Sequence, residues 1–208
     1  GFIFSLNIVQ GFFMSGVYRT ALVIGCDELS KIMDWSDRRT CVLFGDGAGA
    51  AVVRAEETGI RHFLMGSDGA RGPVLECTAR TTGNFLTGTR PDIGFTSMDG
   101  QEVFKFAVKK VPECITQLLE ETGTDKDEIK YFILHQANMR IFESIAKRLK
   151  VPMEKIPVNI ERYGNTSGAS IPIILDEVNR QGKLERGDKI VIAGFGAGLT
   201  WGAVLMEW

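Results

Sequence analysis

Apolar residues recur along this chain at two periods, and the switches between them lay out alternating helices and strands. Phe2, Leu6, Val9 and Phe13 follow one another at helical spacing while Ile3 and Ile8 occupy other faces, which predicts a first helix buried nearly all round. A helix enclosed on every side requires a thick, many-layered domain. A second stripe, Phe104, Val108, Val111, Ile115 and Leu118, is opened by Asp99 with Glu102 three residues on. That is a capping-box pattern, and Pro112 inside the stripe predicts a kink. Ile141, Phe142, Ile145 and Leu149 mark a third helix behind Asn138, and Ile171, Ile174, Leu175 and Val178 a fourth that ends before Gly182. β-Branched runs predict strands at residues 21–25, 50–54, 131–134, 189–193 and 203–207. Across residues 66–100 periodicity fails, and the glycine- and threonine-rich stretch reads as a long excursion of the kind that carries function or covers an interface.

The strands come in two related sets. Thr20-Ala-Leu-Val-Ile-Gly25 followed by Gly45-Asp-Gly-Ala-Gly-Ala-Ala-Val-Val53 parallels Lys189-Ile-Val-Ile-Ala-Gly194 running through Gly194-Phe-Gly-Ala-Gly198 to Leu205. Each reads as strand, G-x-G-A-G turn, strand, and a duplicated α/β core is the economical explanation. The halves divide at residues 1–58 and 59–208, and the first is incomplete because its early strands would lie before Gly1.

Composition narrows the class. With 44% hydrophobic and 24% charged residues in 208, the chain has enough apolar material for one sizeable core or two small ones, which excludes disordered and fibrous proteins. A net charge of −2 provides no global basic field for nucleic acid or an anionic membrane, so an anionic partner must meet a local patch. The uncharged stretches at residues 1–18 and 190–206 are interrupted by Asn7, Gln10 and several glycines and read as core, not as membrane spans. Cys26, Cys41, Cys77 and Cys114 are scattered without CxxC spacing and only two histidines are present. Neither a metal site nor a disulfide framework is expected, and a reducing, cytoplasmic setting is. Gly1 is no initiator and no basic region precedes the first apolar residues, so a fragment or processed product is expected, not a signal peptide.

Two polar residues stand where chemistry is done in α/β proteins. His135 follows the apolar run 131–134 and precedes the helix opened by Asn138, which sets it at the carboxyl end of a strand. Asn165 sits in Tyr163-Gly-Asn-Thr-Ser-Gly-Ala-Ser170, where small residues allow backbone and ligand to approach closely. By residue type alone the histidine also fits a core role and the asparagine a turn or cap, so the pattern ends at a polar pocket above a parallel sheet.

Ile133-Leu-His-Gln-Ala-Asn-Met-Arg-Ile141, Arg162-Tyr-Gly-Asn-Thr-Ser-Gly-Ala-Ser170 and Gly194-Phe-Gly-Ala-Gly-Leu-Thr-Trp-Gly202 together resemble β-ketoacyl-acyl-carrier-protein synthase III. Phe44-Gly-Asp-Gly-Ala-Gly49 and Met98-Asp-Gly-Gln-Glu-Val-Phe-Lys105 match as well, so the likeness runs through residues 1–208, about the last two thirds of a full-length member. The resemblance implies the duplicated, five-layered thiolase fold (αβαβα) and a catalytic trio of cysteine, histidine and asparagine, the last two being His135 and Asn165. The cysteine would stand just before Gly1, with one residue between; none of Cys26, Cys41, Cys77 or Cys114 occupies its motif, and all four are expected to be structural, buried thiols.

The implied reaction starts fatty-acid synthesis. A short acyl group passes from CoA to the cysteine, a malonyl thioester on acyl carrier protein loses CO₂, and the resulting enolate attacks the acyl-enzyme. His135 and Asn165 would donate to the enolate oxygen, and backbone N–H groups of the Phe195, Gly196, Ala197 turn to the second oxyanion. The resemblance further assigns Lys105, Gln136, Asn138, Arg140, Lys147 and Arg148 to contacts with the carrier protein or CoA; for Lys147 and Arg148 an ordinary solvated face is an equal reading. A homodimer with acyl-CoA as substrate and neither metal nor cofactor is implied. Two other readings stay open: a condensing enzyme of the type III polyketide synthase kind, and a non-catalytic thiolase-like binding subunit.

Overall fold

The computed structural model describes residues 1–77, 83–90 and 94–208. In chain order its elements are α1 (Phe2–Met14), β1 (Thr20–Asp27), β2 (Gly47–Arg54), β3 (Ile60–Ser67), β4 (Leu75–Cys77), β5 (Thr96–Met98), α2 (Gly100–Thr122) and β6 (Ile129–Leu134). They continue with α3 (Met139–Leu149), α4 (Ile160–Tyr163), α5 (Ser170–Arg180), β7 (Lys189–Gly196) and β8 (Thr200–Glu207). Short 3-10 turns fill several connections.

Alternation along β7 shows how the layers are built. Ile190 and Ile192 join the cluster of Phe2, Ile3 and Leu6 from α1 with Ile171, Ile174 and Val178 from α5. Val191 and Ala193 point the other way, into the cluster that α2 and α3 make with Phe132, Leu134 and Leu205. The four-stranded sheet, in the order β3-β8-β7-β6 with only β6–β7 parallel, is therefore covered on both faces, which is why its central strands read as unbroken apolar runs. Beyond α1 and α5 lies a two-stranded antiparallel sheet, β1–β2. The described layers thus run sheet, helices, sheet, helices.

The outer face of β1–β2 is open, with Leu22, Ile24 and Val52 exposed, Val52 to 75%. The same holds for the far end of α1: Phe2, Ile3 and Leu6 are buried, but Ile8 and Met14 face solvent. Burial nearly all round is therefore not what α1 has among the described residues, because only its first turns are clamped between the two sheets.

The strand-pair duplication takes a different form from the one expected. In β1–β2 the register pairs Gly25 with Gly49, and in β7–β8 it pairs Gly194 with Gly202. Only residues 194–198 run into a tight connection; Gly47 to Gly49 lie inside β2, and β1 reaches β2 through the long segment 28–46. The glycine at 25 serves packing instead of turning. A Cβ there would fall 2.3 Å from the Gly168 carbonyl oxygen, so the segment leading into α5 lies directly on β1.

α2 is capped by Asp99, whose carboxylate accepts from the Gln101 and Glu102 N–H groups. The box is only half formed: Glu102 turns to Lys105 and Arg71, and the Asp99 N–H goes to the Val74 carbonyl. The helix is continuous through the buried Pro112 and stops at Gly123, in left-handed backbone at φ +62°. The excursion 66–100 is not structureless, since a 3-10 turn over Gly69–Val74 leads into β4, which pairs with β5; its residues 78–82 and 91–93 lie outside the described ones.

Candidate active site

β6 ends at Leu134, and the His135 N–H still bonds the Ala193 carbonyl of β7 at 2.9 Å, so the histidine backbone is an extension of the sheet. Its ring packs edge-on against Phe195 with centroids 5.5 Å apart, and its Nδ1 lies 2.6 Å from the Ser170 hydroxyl. Burial holds the imidazole down to about 4, so it is neutral near pH 7 and carries a single ring hydrogen.

Asn165 is held by a different segment. Its N–H donates to the Leu43 carbonyl at 2.8 Å and its carbonyl accepts from the Gly45 N–H at 3.0 Å, a short parallel bridge that ties it to the segment feeding β2. The side-chain Oδ1 accepts the Ser167 N–H at 2.9 Å, which leaves the Nδ2 amide as the donor for anything that enters. The turn ahead of it is fastened by Glu177 of α5, whose carboxylate accepts from Asn159 Nδ2, an Arg162 guanidinium NH₂ and the Tyr163 hydroxyl at 2.9, 2.8 and 2.7 Å. Asp27, at the end of β1, accepts the Gly168 N–H at 2.7 Å and pins the next turn.

Both side chains line one cavity of about 370 Å³. Its wall includes Gly1 and Phe2 of the amino end of α1, apolar Met33, Phe44 and Ile171, and the expected turn residues, of which Phe195 and Gly196 prove to be the end of β7, paired with β8, and only Ala197 lies in the turn that follows. The turn is braced by paired backbone bonds between Asp68 and Leu199 at 2.7 and 2.9 Å. Because the backbone dipoles of α1 add along its axis, this wall brings a positive potential to the cavity.

Other residues singled out in the sequence lie elsewhere. Gln136 is 1% exposed: its Nε2 donates to the Leu134 and Pro157 carbonyls and its Oε1 accepts the Asn159 N–H. A contact with carrier protein or CoA is excluded for it, since every polar atom is spent inside the fold, and it instead joins the His135 strand to the segment leading to Asn165. Asn138 is half-buried and uses its Oδ1 to cap α3 through the Arg140 N–H. Arg140, Lys147 and Arg148 are exposed on α3 without an acidic partner among the described residues, while Lys105 on the neighbouring α2 pairs with Glu102.

The cysteines also differ from expectation. Only Cys114 is buried, and burial pushes its thiol up to about 12; Cys26 and Cys77 are exposed, and Cys77 lies at the cavity rim because β4 is an outer strand there. No group of His, Cys, Asp or Glu suited to a metal occurs among the described residues, and no helix among them is long and apolar enough to cross a membrane.

Comparison with known proteins decides the family. The profile described as 3-oxoacyl-[acyl-carrier-protein] synthase III matches residues 1–69, and that of its C-terminal part matches residues 119–208. The chain belongs to this synthase III family. Among curated members, the β-ketoacyl-[acyl-carrier-protein] synthases III of Clostridium acetobutylicum and Clostridium novyi are each 48% identical across the whole chain, which spans 65% of either relative's length. The solved synthase III of Aquifex aeolicus superposes over the whole chain and 64% of its own length at 43% identity and a TM-score of 0.90. That of Thermus thermophilus does so over 65% of its length at 40% identity and a TM-score of 0.91. The fold is accordingly the thiolase-like one of synthase III. Ser170, Asp27 and Glu177, which hold the segments carrying His135 and Asn165, are the residues that sequence reasoning missed. Ser170 lay within the quoted motif, but nothing in its spacing distinguishes a ligand of a histidine ring from a helix cap.

Proposed function

We propose that the chain provides the condensing site of a β-ketoacyl-acyl-carrier-protein synthase III, which joins a short acyl-CoA to malonyl-acyl-carrier protein and releases CO₂. One observation carries this reading: two neutral donors, the ring of His135 and the amide of Asn165, are held by separate segments of the chain in the lining of one largely apolar cavity. Such a pair suits an oxygen that gains negative charge during reaction. In the malonyl thioester the carboxylate C–C bond breaks, CO₂ leaves, and the electron pair becomes the enolate that His135 and Asn165 stabilise. With an acyl-enzyme filling the cavity, the apolar wall keeps water from the enolate carbon.

Acyl transfer needs a thiolate, and the family resemblance implies one just ahead of Gly1, at the positive end of α1, which favours the ionised thiol. The N–H groups of Phe195, Gly196 and Ala197 stabilise the oxyanion formed when the enolate carbon attacks the acyl-enzyme. Arg140, Lys147 and Arg148 on α3, with Lys105 on the neighbouring α2, offer the local positive surface for anionic CoA and carrier protein. We further infer a homodimer, a cytoplasmic setting, and halves divided at residues 1–58 and 59–208, the second beginning just before β3 opens the four-stranded sheet.

Decarboxylation asks for the two donors alone: with no acyl-enzyme to attack, the enolate takes a proton from water and leaves as the acetyl thioester. The source polypeptide, in which activity is expected, is therefore given malonyl-CoA labelled at its free carboxylate, and labelled CO₂ is counted. The expected result is release that falls roughly 10²–10³-fold in His135→Ala and in Asn165→Ala. No release from the unaltered source polypeptide, or equal release from its variants, would overturn the reading and favour a binding subunit. Intact mass of the source polypeptide after acetyl-CoA treatment tests the other half-reaction, an acetyl adduct of about 42 Da on a cysteine being expected.

A further inference from the structure

We propose that Ser170 is a positioning residue that holds His135 in the tautomer with its hydrogen on Nε2, facing the cavity. The inference rests on the reading of His135 as a donor, and it explains how a ring with one hydrogen keeps that hydrogen on the working side.

Ser170 is the first residue of α5 and is 2% exposed. Its Oγ has three neighbours: His135 Nδ1 at 2.6 Å, the Ser167 carbonyl at 2.9 Å and the Gln136 N–H at 3.4 Å. The hydroxyl has one hydrogen to give, so the ring tautomer depends on where it goes. If it goes to the Ser167 carbonyl, the imidazole must donate from Nδ1, and a bare Nε2 lone pair is turned toward the space beside Asn165. If it goes to Nδ1, Nε2 carries the hydrogen.

The second arrangement leaves each neighbour of Oγ paired. The Ser167 carbonyl already accepts the Ser170 backbone N–H, the Gln136 N–H is accepted by Oγ, and the hydroxyl hydrogen is free for the ring. The first pairs them too, Oγ then accepting from Nδ1 and from the Gln136 N–H on its two lone pairs, so the two differ at Nε2: only the second gives the cavity the donor that the proposed reaction requires. The 2.6 Å separation is that of a strong bond, and the edge-on Phe195 ring holds the imidazole plane. The ring nitrogen that carries the hydrogen is set by the bond that the other nitrogen makes, and here the other nitrogen faces a buried hydroxyl.

The chain has only two histidines, so ¹⁵N-histidine labelling gives a ring spectrum that His62→Gln assigns. Near pH 7 His135 is expected to show a protonated Nε2 and a bare Nδ1. Ser170→Thr, which keeps the hydroxyl, is expected to preserve that pattern, and Ser170→Ala to add a population protonated at Nδ1. Counting CO₂ from malonyl-CoA given to the source polypeptide, Ser170→Ala is expected to lose about tenfold or more in kcat with KM little changed, and Ser170→Thr to recover most of it. A ring protonated at Nδ1 in the unaltered chain, or a Ser170→Ala spectrum identical to it, overturns the proposal. Should Ser170→Ala not fold, the unaltered spectrum and the Thr variant still decide. Nε2 protonation in a chain that releases no CO₂ supports the tautomer assignment while removing the catalytic reading, so the two fail separately.

Discussion

Gly25→Ala tests how the two sheets transmit geometry to the cavity. The added Cβ would stand 2.3 Å from the Gly168 oxygen, 2.9 Å from its carbon and 3.2 Å from Ala169 Cα, where ordinary contact begins at 3.4 Å. The obstacle is backbone, not the end of a flexible side chain, so the segment must move by about 1 Å. That segment is held from the same side by Asp27 on the Gly168 N–H, and it carries the Ser167 N–H that orients Asn165 and the Ser170 hydroxyl that meets His135. Overpacking of this kind costs about 1–3 kcal/mol, and the backbone clash argues for the upper part of that range. A misplacement of about 1 Å at a reacting centre costs on the order of 10²-fold in rate. Urea unfolding and, in the source polypeptide, CO₂ release from malonyl-CoA read the two effects. Gly11→Ala is the control: nothing lies within 4 Å of its new methyl, it sits inside α1, and it should gain roughly 0.5–1 kcal/mol. A Gly25→Ala chain with unchanged midpoint and unchanged CO₂ release would refute the argument that β1 and the turn before α5 are in contact.

Further outcomes follow from single features. His135 is held near 4 in the fold against 6.5 for the free side chain, so the unfolded chain takes up its proton first as pH falls. Stability should therefore decline between about pH 6.5 and 4, by on the order of 1 kcal/mol per pH unit, and His135→Gln should flatten that slope in denaturation series. Phe142, with no exposed surface at the centre of the α2–α3 cluster, should cost about 3–5 kcal/mol when cut to alanine, read as a lower urea midpoint. Arg140→Glu should raise the apparent KM for malonyl-carrier protein in the source polypeptide; an unchanged value removes Arg140 from the docking surface.

Much of the core was readable because the burial pattern of β6, β7 and β8 and the stripes of α2, α3 and α5 are local properties. β3 escaped because Arg61 and His62 break its alternation and its pairing with β8 is irregular between Ile60 and His62. Its place is set by β8, far away in sequence. Gln136 was misread for the opposite reason: a polar residue beside a catalytic candidate looks like surface until three backbone groups from two segments are seen to close around it. The excess apolarity of α1 was visible, but which of its faces is covered depends on two sheets. His135 and Asn165 were legible as residues, whereas the hydroxyl, carboxylates and glycine contact that orient them come from contacts that no spacing encodes.

β1 and β2 pair only with each other among the described residues, leaving two free edges and one uncovered face. Within this stretch, which spans 65% of its relatives' length, a ribbon of this kind opens at a lower free energy than a four-stranded sheet packed on both sides. Asn165 is anchored to the segment that feeds the ribbon, and His135 to the stronger sheet. The donor pair therefore straddles two cooperative units. In native-state hydrogen exchange the amides of β1, β2 and Asn165 should exchange well before those of β6 and β7. A ligand that bridges His135 and Asn165 would slow the first group without altering the second.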